Sequence, residues 1–466
     1  MGTLASIFDL SRAALSADQV ALNATANNVA NQNTAGYVRQ SVSFSEGDQV
    51  TINGRTTISG PTATAVSKRD RVLEQRIQQQ TQTQSETSAH ADVLGQIENV
   101  FSISGSTSNA GSTEIGTALD GLASSLTALE GNPSNTATRQ AVLSAATSLA
   151  GAFNTAAAAL ISVQTNLNAN LSDSTTEVNS LTSRIADLNA QIGANGSKAD
   201  AGTLEDQRQQ AIAQLSQYIG LDQVATEQNG ITLTTRGGTP LVMGTQAFTL
   251  HASIVGGTTI ISDSAGAALN ATIVGGSVGG KLAGQSTDLP AAQSALDQLA
   301  FRVATAVNTQ NAAGVDLSGA PGAALFSLTP SAPGAAAAIA VRISNPALVA
   351  AAGPGEGVTG NSNANLLASL FHQPDASGTT PSGQLGSLLA SVGSTSSRLQ
   401  QQSTAQSASL TQLTTQRDSL SAVSLDTEAA NLSQYQRSYQ AASRLFSILD
   451  SLIVSSLNLG QQTTVA

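Results

Sequence analysis

The chain has 466 residues, a formal net charge of -11 and no cysteine, so disulfide frameworks, thiol nucleophiles and thiolate zinc sites are excluded. Charged residues make up only 11% and the balance is acidic, which excludes the basic stripe that a phosphate-backbone binder needs. Aromatics at 3% with no Trp leave little material for stacking platforms or aromatic-lined pockets, and the composition points away from an enzyme.

No basic residue precedes Arg12, so the N-terminus does not read as a cleavable secretory signal. Residues 4–31 read as an amphipathic helix in which Phe8, Leu15, Leu22 and Val29 recur every seven positions, with Ile7, Ala14 and Ala21 one step behind. The Asn-rich stretch from Asn27 to Asn33 and then Gly36 supply helix-ending chemistry. From Tyr37 to Val66 the alternation of Val38, Val42 and Phe44, then Val50 and Ile52, predicts extended chain with a hairpin at Asn53-Gly54.

Lys68 to Phe101 is a second helical stretch, its basic start (Lys68, Arg69, Arg71, Arg76) partly neutralised by Asp70 and Glu74. Ile115 to Leu129 is a third helix. The turn Asn132-Pro133-Ser134 leads into a long Ala-rich helical run to Ile192, and Leu204 to Ile219 closes the block. At Leu221 the pattern changes to short β-branched runs (Ile231 to Thr235, Phe248 to Leu250, Ile260 to Ser262, Thr272 to Val274), punctuated by Gly237-Gly238, Gly256-Gly257 and Gly275-Gly276 read as hairpin turns. Leu289 to Ala312 returns to helix, one strand is expected at Ile339 to Ile343, and two helices, 382–418 and 424–458, finish the chain. No segment reaches the roughly 20 apolar residues of a bilayer span, since Leu445 to Leu459 is interrupted by Asp450.

The expected fold is mainly α with an inserted small antiparallel β domain, and with long paired terminal helices around a helical-bundle body. The expected divisions are an N-terminal assembly helix with its extended hairpin segment (1–66), a helical body (67–220), the β domain (221–288), a helix and Ala/Gly/Pro-rich return (289–381), more helical body (382–418) and a C-terminal assembly helix (419–466).

Motifs that carry chemistry fail on context. His90, His251 and His372 have no second ligand at metal spacing. Gly275 to Lys281 matches the start of a phosphate-binding loop, but Leu282 stands where a hydroxyl must hold magnesium. Gly355, Gly357 and Gly360 satisfy a dinucleotide-loop spacing without the strand that must precede it. No catalytic, cofactor or metal residues are assigned.

The last helix carries one continuous apolar stripe through Leu432, Tyr435, Tyr439, Phe446, Leu449, Ile453 and Leu457, with Ser424 as N-cap and Asp426 and Glu428 in the first turn. On pattern alone, an ordinary antiparallel pair in one core and an assembly seam both fit two such terminal helices. The run from Ala26 to Gln40, with Asn27, Asn28, Asn31, Asn33, Gly36, Tyr37, Arg39 and Gln40, resembles the N-terminal signature of bacterial flagellar rod, hook and hook-associated proteins. Val423 to Gly460, with its Gln-Arg-Ser-Tyr-Gln-Ala-Ala core, resembles their C-terminal helix. Between the ends, Asn132-Pro133-Ser134 with Arg139-Gln140, Asp187-Leu188-Asn189 with Gln191-Ile192, Leu204 to Arg208, and Gly360 to Ala364 resemble the hook-associated protein 1 family.

That resemblance implies a non-catalytic axial protein without cofactor or metal. It would be exported through the flagellar secretion apparatus to the extracellular flagellum, polymerise at the hook tip and join hook to filament. The implied partners are other copies of the chain, the hook protein, the next junction protein and an export chaperone on the C-terminal helix (Leu449, Ile453, Leu457), with no nucleic acid and no membrane. Phe8, Leu15, Leu22 and Val29 with Leu432, Tyr439, Phe446, Leu449 and Ile453 are expected to form the assembly seam. Asn31, Gly36, Tyr37 and Arg39 are expected to set how the chain leaves the first helix. Rival readings are a distal rod or hook subunit, and an exported enzyme with its site in 221–360.

Overall fold

The computed structural model describes residues 2–33, 37–46, 49–52, 55–58, 60–67, 69–101, 113–195, 201–225, 230–375, 378–421 and 423–462. Gly36, Asn53-Gly54 and Lys68 lie outside them. The chain is mostly helical and divides into two compact units, one of residues 1–82, 178–249 and 406–466, the other of residues 83–177 and 250–405. Helices α2 (Arg71–Val100), α4 (Thr136–Asn195) and α10 (Pro381–Ser421) contribute segments to both.

In the first unit, α1 (Gly2–Ala30) packs against α11 (Leu425–Gln462). After α1 the chain turns into β1 (Gln40–Ser45), which pairs antiparallel with β4 (Thr62–Ser67) in the register Gln40↔Ser67 to Ser45↔Thr62. Between them β2 (Gln49–Ile52) and β3 (Arg55–Ile58) pair Ile52↔Arg55, so the hairpin read from the alternating residues is present. Gly60 brings the hairpin base onto α1, where a Cβ at Gly60 would sit 2.2 Å from Ala13 Cβ.

The helix α2 starts where Asp70 accepts the backbone N–H groups of Val72 and Leu73, both at 3.0 Å, removing two orphan donors of the first turn. The end of α4, α5 (Ala201–Tyr218) and the meander of β5 (Leu221–Ala225), β6 (Ile231–Thr235), β7 (Pro240–Met243) and β8 (Gln246–Ala247) complete this unit. The apolar residues Val178, Leu181, Ile185, Leu188 and Ile192, read as a packed helix face, are all buried. Asn189 explains its place in the quoted motif: its Nδ2 donates to the carbonyls of Ile231 (2.9 Å) and Gly244 (2.6 Å), and its Oδ1 accepts from buried Arg208 at 2.8 Å.

In the second unit, α3 (Glu114–Gly131), capped by Thr113 on the Gly116 N–H at 2.9 Å, packs on α9 (Ser362–His372), which also touches α7 (Leu289–Ala313). Within this unit α4 runs from Thr136 to Glu177 with no break in the Ala-rich stretch. Arg139, fully buried, donates to the carbonyls of Pro133 (2.7 Å) and Val349, which ties the Asn132 turn to the 3-10 turn Pro346–Leu348. Asn363 donates to the Ala350 carbonyl at 2.7 Å and accepts from Gln310, the reason for an Asn inside the Gly360 to Ala364 motif.

The strands between 221 and 262 form two separate antiparallel sheets, because β9 (His251–Val255) pairs only with β10 (Thr258–Ser262). Gly256 and Gly257, at φ +60 and +85, supply the tight turn between them, a conformation that L side chains rarely adopt. Two strand expectations change. Phe248 to Leu250 lies between β8 and β9, and Thr272 to Val274 is a turn leading into α6 (Gly276–Ala283) and the π-turn Gly284–Asp288.

Gly275-Gly276 is therefore a helix start and not a hairpin. The glycines of α6 act by close approach: a Cβ on Gly280 would fall 2.1 Å from the Glu86 carbonyl, so the helix lies backbone to backbone on α2. The strand expected at Ile339 to Ile343 reduces to β12 (Ala340–Val341), paired with β11 (Phe326–Ser327), after the short α8 (Ala335–Ala338).

Candidate assembly site at the chain ends

The terminal helices present each other an aromatic contact at one end. Phe8 and Phe446 stack with ring centroids 4.5 Å apart at 36°, a tilted pair of the kind that adds to area burial. Leu449 is buried beside it in the sequence, Phe446, Ile453, Leu432, Leu15 and Leu22 are half-buried, and Val29 and Tyr439 are exposed. Leu457 lies in α11, its side chain outside the described ones.

The face of α1 that is buried deepest is different from its large apolar stripe. It runs through Ser11, Ala17, Asp18, Ala21, Ala24, Thr25 and Asn28, small and polar residues at helical spacing. Small side chains let a neighbouring element approach the helix axis, and Ala21 is completely covered. Of this face, Ala21 is visible in sequence, as part of the step behind the seven-residue repeat.

At the other end of the pair sits a polar knot. Asn28, 1% exposed, uses its full capacity: Nδ2 donates to the Gln40 carbonyl at 2.8 Å and to Glu428 Oε2 at 3.1 Å. Its Oδ1 accepts from the Gln40 N–H at 2.8 Å and from the Tyr37 hydroxyl at 2.9 Å. Glu428, also 1% exposed, takes Arg39 Nε on its other oxygen at 2.7 Å. Four signature residues (Asn28, Tyr37, Arg39, Gln40) thus join in one network, and two of them, Asn28 and Arg39, bond the carboxylate of Glu428, which the sequence presented only as a first-turn acid of α11.

Of the remaining signature positions, Asn31 donates from its side chain to the Asn27 carbonyl at 3.0 Å, closing the end of α1, and Asn33 is exposed in the turn that follows. Burial, then the charges of Asp206 and Glu428, push the Tyr37 phenol up to about 12, so it is neutral and a donor at physiological pH. Asp206 itself is raised by burial, against the pull of Arg69, whose guanidinium it accepts at 2.5 Å.

The helix pair also keeps an uncovered apolar face. Ile7 and Leu10 on α1 and Leu445, Ile448 and Leu452 on α11 are 41 to 60% exposed, and the three on α11 follow the spacing of one helical side. This arrangement can bury one side within the chain and offer another to a second surface.

Among the described residues no group of three or more His, Asp or Glu could hold a metal ion. A cavity of about 190 Å³ in the first unit sets three arginines, Arg69, Arg71 and Arg208, against two acids, Glu74 and Glu205. His90 pairs with Asp288 at 2.5 Å, a contact between α2 and the π-turn.

Three family models match. The flagellar hook-associated protein FlgK helical domain covers residues 94–326, half of the chain. The flagella basal body rod protein model covers 8–37 and the flagellar basal body rod FlgEFG protein C-terminal model covers 416–459, which are the two halves of the site above. Flagellar hook-associated protein 1 of Escherichia coli strain K12 is 26% identical over 337 residues, 70% of this chain and 60% of that relative. The match thus spans about three fifths of the relative's length. Flagellar hook-associated protein 1 of Bacillus subtilis strain 168 is 28% identical across 97% of both chains. The solved structure of the flagellar hook junction protein FlgK from Burkholderia pseudomallei shares the fold, with a TM-score of 0.66 at 19% identity over 74% of this chain and 99% of that one.

Proposed function

This chain belongs to the flagellar hook-associated protein FlgK family, and from that premise we propose that it is a structural, non-catalytic axial subunit of the bacterial flagellum that polymerises at the hook tip and joins hook to filament. In this reading it is exported through the flagellar secretion apparatus and works outside the cell. Its partners are further copies of itself, the hook protein on one side and the next junction protein on the other.

The observation that supports the reading is the two-faced helix pair. Phe8, Phe446 and Leu449 are spent within the chain, while Ile448 and Leu452 stay 60% and 51% exposed with nothing over them in the single chain. Burying such side chains against neighbouring subunits stabilises a polymer by roughly 25 cal/mol for each Å² removed from water. Before α1 and α11 pair, the seam side of α11 suits an export chaperone groove, which reads an amphipathic helix through i, i+3 and i+4 anchors. Leu449, Ile453 and Leu457 are the anchors proposed for it.

The test is genetic. A strain lacking the chain should build hooks without filaments and shed filament protein to the medium, and expression of the intact chain should restore both. Filaments on the hooks of the deletion strain would remove the junction reading.

A further inference from the structure

We propose that the buried knot of Asn28, Arg39 and Glu428 is the register lock of the α1–α11 pair. The apolar repeat of each helix has the same period. Phe8, Leu15, Leu22 and Val29 step by seven along α1, and Leu432, Tyr439, Phe446 and Ile453 step by seven along α11. Two helices with matching seven-residue repeats can slide by one repeat, about 10 Å along the axis, and still place an apolar side chain opposite an apolar side chain. The small residues of α1 do not resist the slide, since Ala14 and Ala17 are followed seven places on by Ala21 and Ala24. The seven-residue repeats by themselves therefore leave the pair close to degenerate.

Four contacts do distinguish the registers. Leu449, buried, has Ala442 and Ser456 seven places to either side, so a slide would put a smaller side chain in its place. The Phe8–Phe446 stack would become Leu15 on Phe446, a loss of geometry but not of apolar contact. Phe44 and Tyr435, 6.1 Å apart with Phe44 half exposed, form a loose contact. The knot is the least tolerant: a slid α11 would carry Glu428, 1% exposed in the observed register, away from both Arg39 and Asn28 and break the ion pair. Arg39 stands next to Gln40, which opens β1 and is held in the β1–β4 ladder, so the lock is anchored to the hairpin and cannot travel with α11. A single buried polar contact that sets the register of an otherwise repetitive helix pair is the best-attested use of such groups.

The chain has no cysteine, so paired spin labels can be placed on the full-length protein without background. Asn23 and Gln440 are exposed and staggered along the pair, so a slide changes their separation along the axis. With both replaced by labelled Cys, the otherwise unaltered chain should give one interspin distance, and Glu428→Gln, which keeps oxygen and shape, should keep it. Glu428→Leu should add a second discrete distance from the slid register. The double variant Arg39→Leu/Glu428→Leu replaces the ion pair by apolar contact and should show both distances at full helix content.

The proposal is overturned if the double variant keeps one sharp distance, or if both leucine variants lose any defined distance. The second outcome would mean that the knot holds the ends folded and does not select their register. The reading is independent of what the outer face of the pair docks against.

Discussion

Arg39 and Glu428, 389 positions apart, share an ion pair of 2.7 Å whose two ends stand in different surroundings: the arginine side chain keeps 22% of its surface and the glutamate 1%. Removing one partner is therefore not equivalent to removing the other. Arg39→Ala strands a buried carboxylate and should cost about 3 to 5 kcal/mol, whereas Glu428→Ala leaves an arginine that can turn to water and should cost about 1 to 3 kcal/mol. Opening free energies from amide exchange across α1 and α11 measure both. Equal losses would show that the carboxylate reaches solvent on its own.

The two sides of α11 should separate stability from polymerisation. Leu449 is 7% exposed, and Leu449→Ala should weaken the helix pair by about 2 to 4 kcal/mol. Phe446, half-buried, should cost about 2 kcal/mol on truncation, less than a fully buried ring. Ile448→Asp with Leu452→Asp alters exposed positions, so exchange protection of the monomer should stay within about 0.5 kcal/mol while polymer growth, followed by sedimentation, is lost. Normal polymers from that variant would move the assembly surface elsewhere.

Tyr37 supplies an alkaline signature of the knot. Its phenol is raised from 10.0 to about 12, chiefly by burial, and the proton is bound more tightly in the folded chain than in the unfolded one. The stabilisation is thus complete below pH 10 and is lost as the pH rises from 10 to 12. The difference in phenolate absorbance between the unaltered chain and Tyr37→Phe should titrate near pH 12, and Asn28→Ala, which removes the acceptor of the phenol, should bring it down. A midpoint near 10 in the unaltered chain would place Tyr37 in open water.

The seven-residue repeats made both terminal helices legible, and long amphipathic stretches such as Val178 to Ile192 marked their buried faces correctly. The inward face of α1 was not legible, because Ala17, Ala21 and Ala24 bury too little area to stand out in a hydrophobic pattern, and Asn28 reads as polar surface until its four hydrogen bonds are in place. Glu428 escaped for another reason. Its partners lie about 400 positions away, and a first-turn acid already has a local explanation in the helix dipole. Gly275-Gly276 does reverse the chain by dihedral freedom, at φ +80 and +67, but the reversal enters α6 and not a second strand, which the paired glycines alone do not distinguish.

Two close-packed glycines should behave differently under the same substitution, and the difference identifies what each one touches. At Gly60 the added methyl would meet the side-chain carbon of Ala13 at 2.2 Å, with the Leu10 backbone next at 3.3 Å. At Gly280 the obstacle is the backbone carbonyl of Glu86 at 2.1 Å, followed by the His90 nitrogen at 2.8 Å. Gly60→Ala should cost about 1 to 3 kcal/mol by overpacking the hairpin base on α1, and Ala13→Gly in the same chain should recover most of it, less the roughly 1 kcal/mol that a glycine costs inside a helix. Gly280→Ala should cost at least as much. No side-chain truncation on α2 can relieve it, because the colliding atoms belong to the main chain, and Glu86→Ala is the direct control. Amide exchange of α1 and of α6 in the four variants reads each effect locally, and a Glu86→Ala change that rescued Gly280→Ala would show that α6 rides on side chains instead of on the backbone of α2.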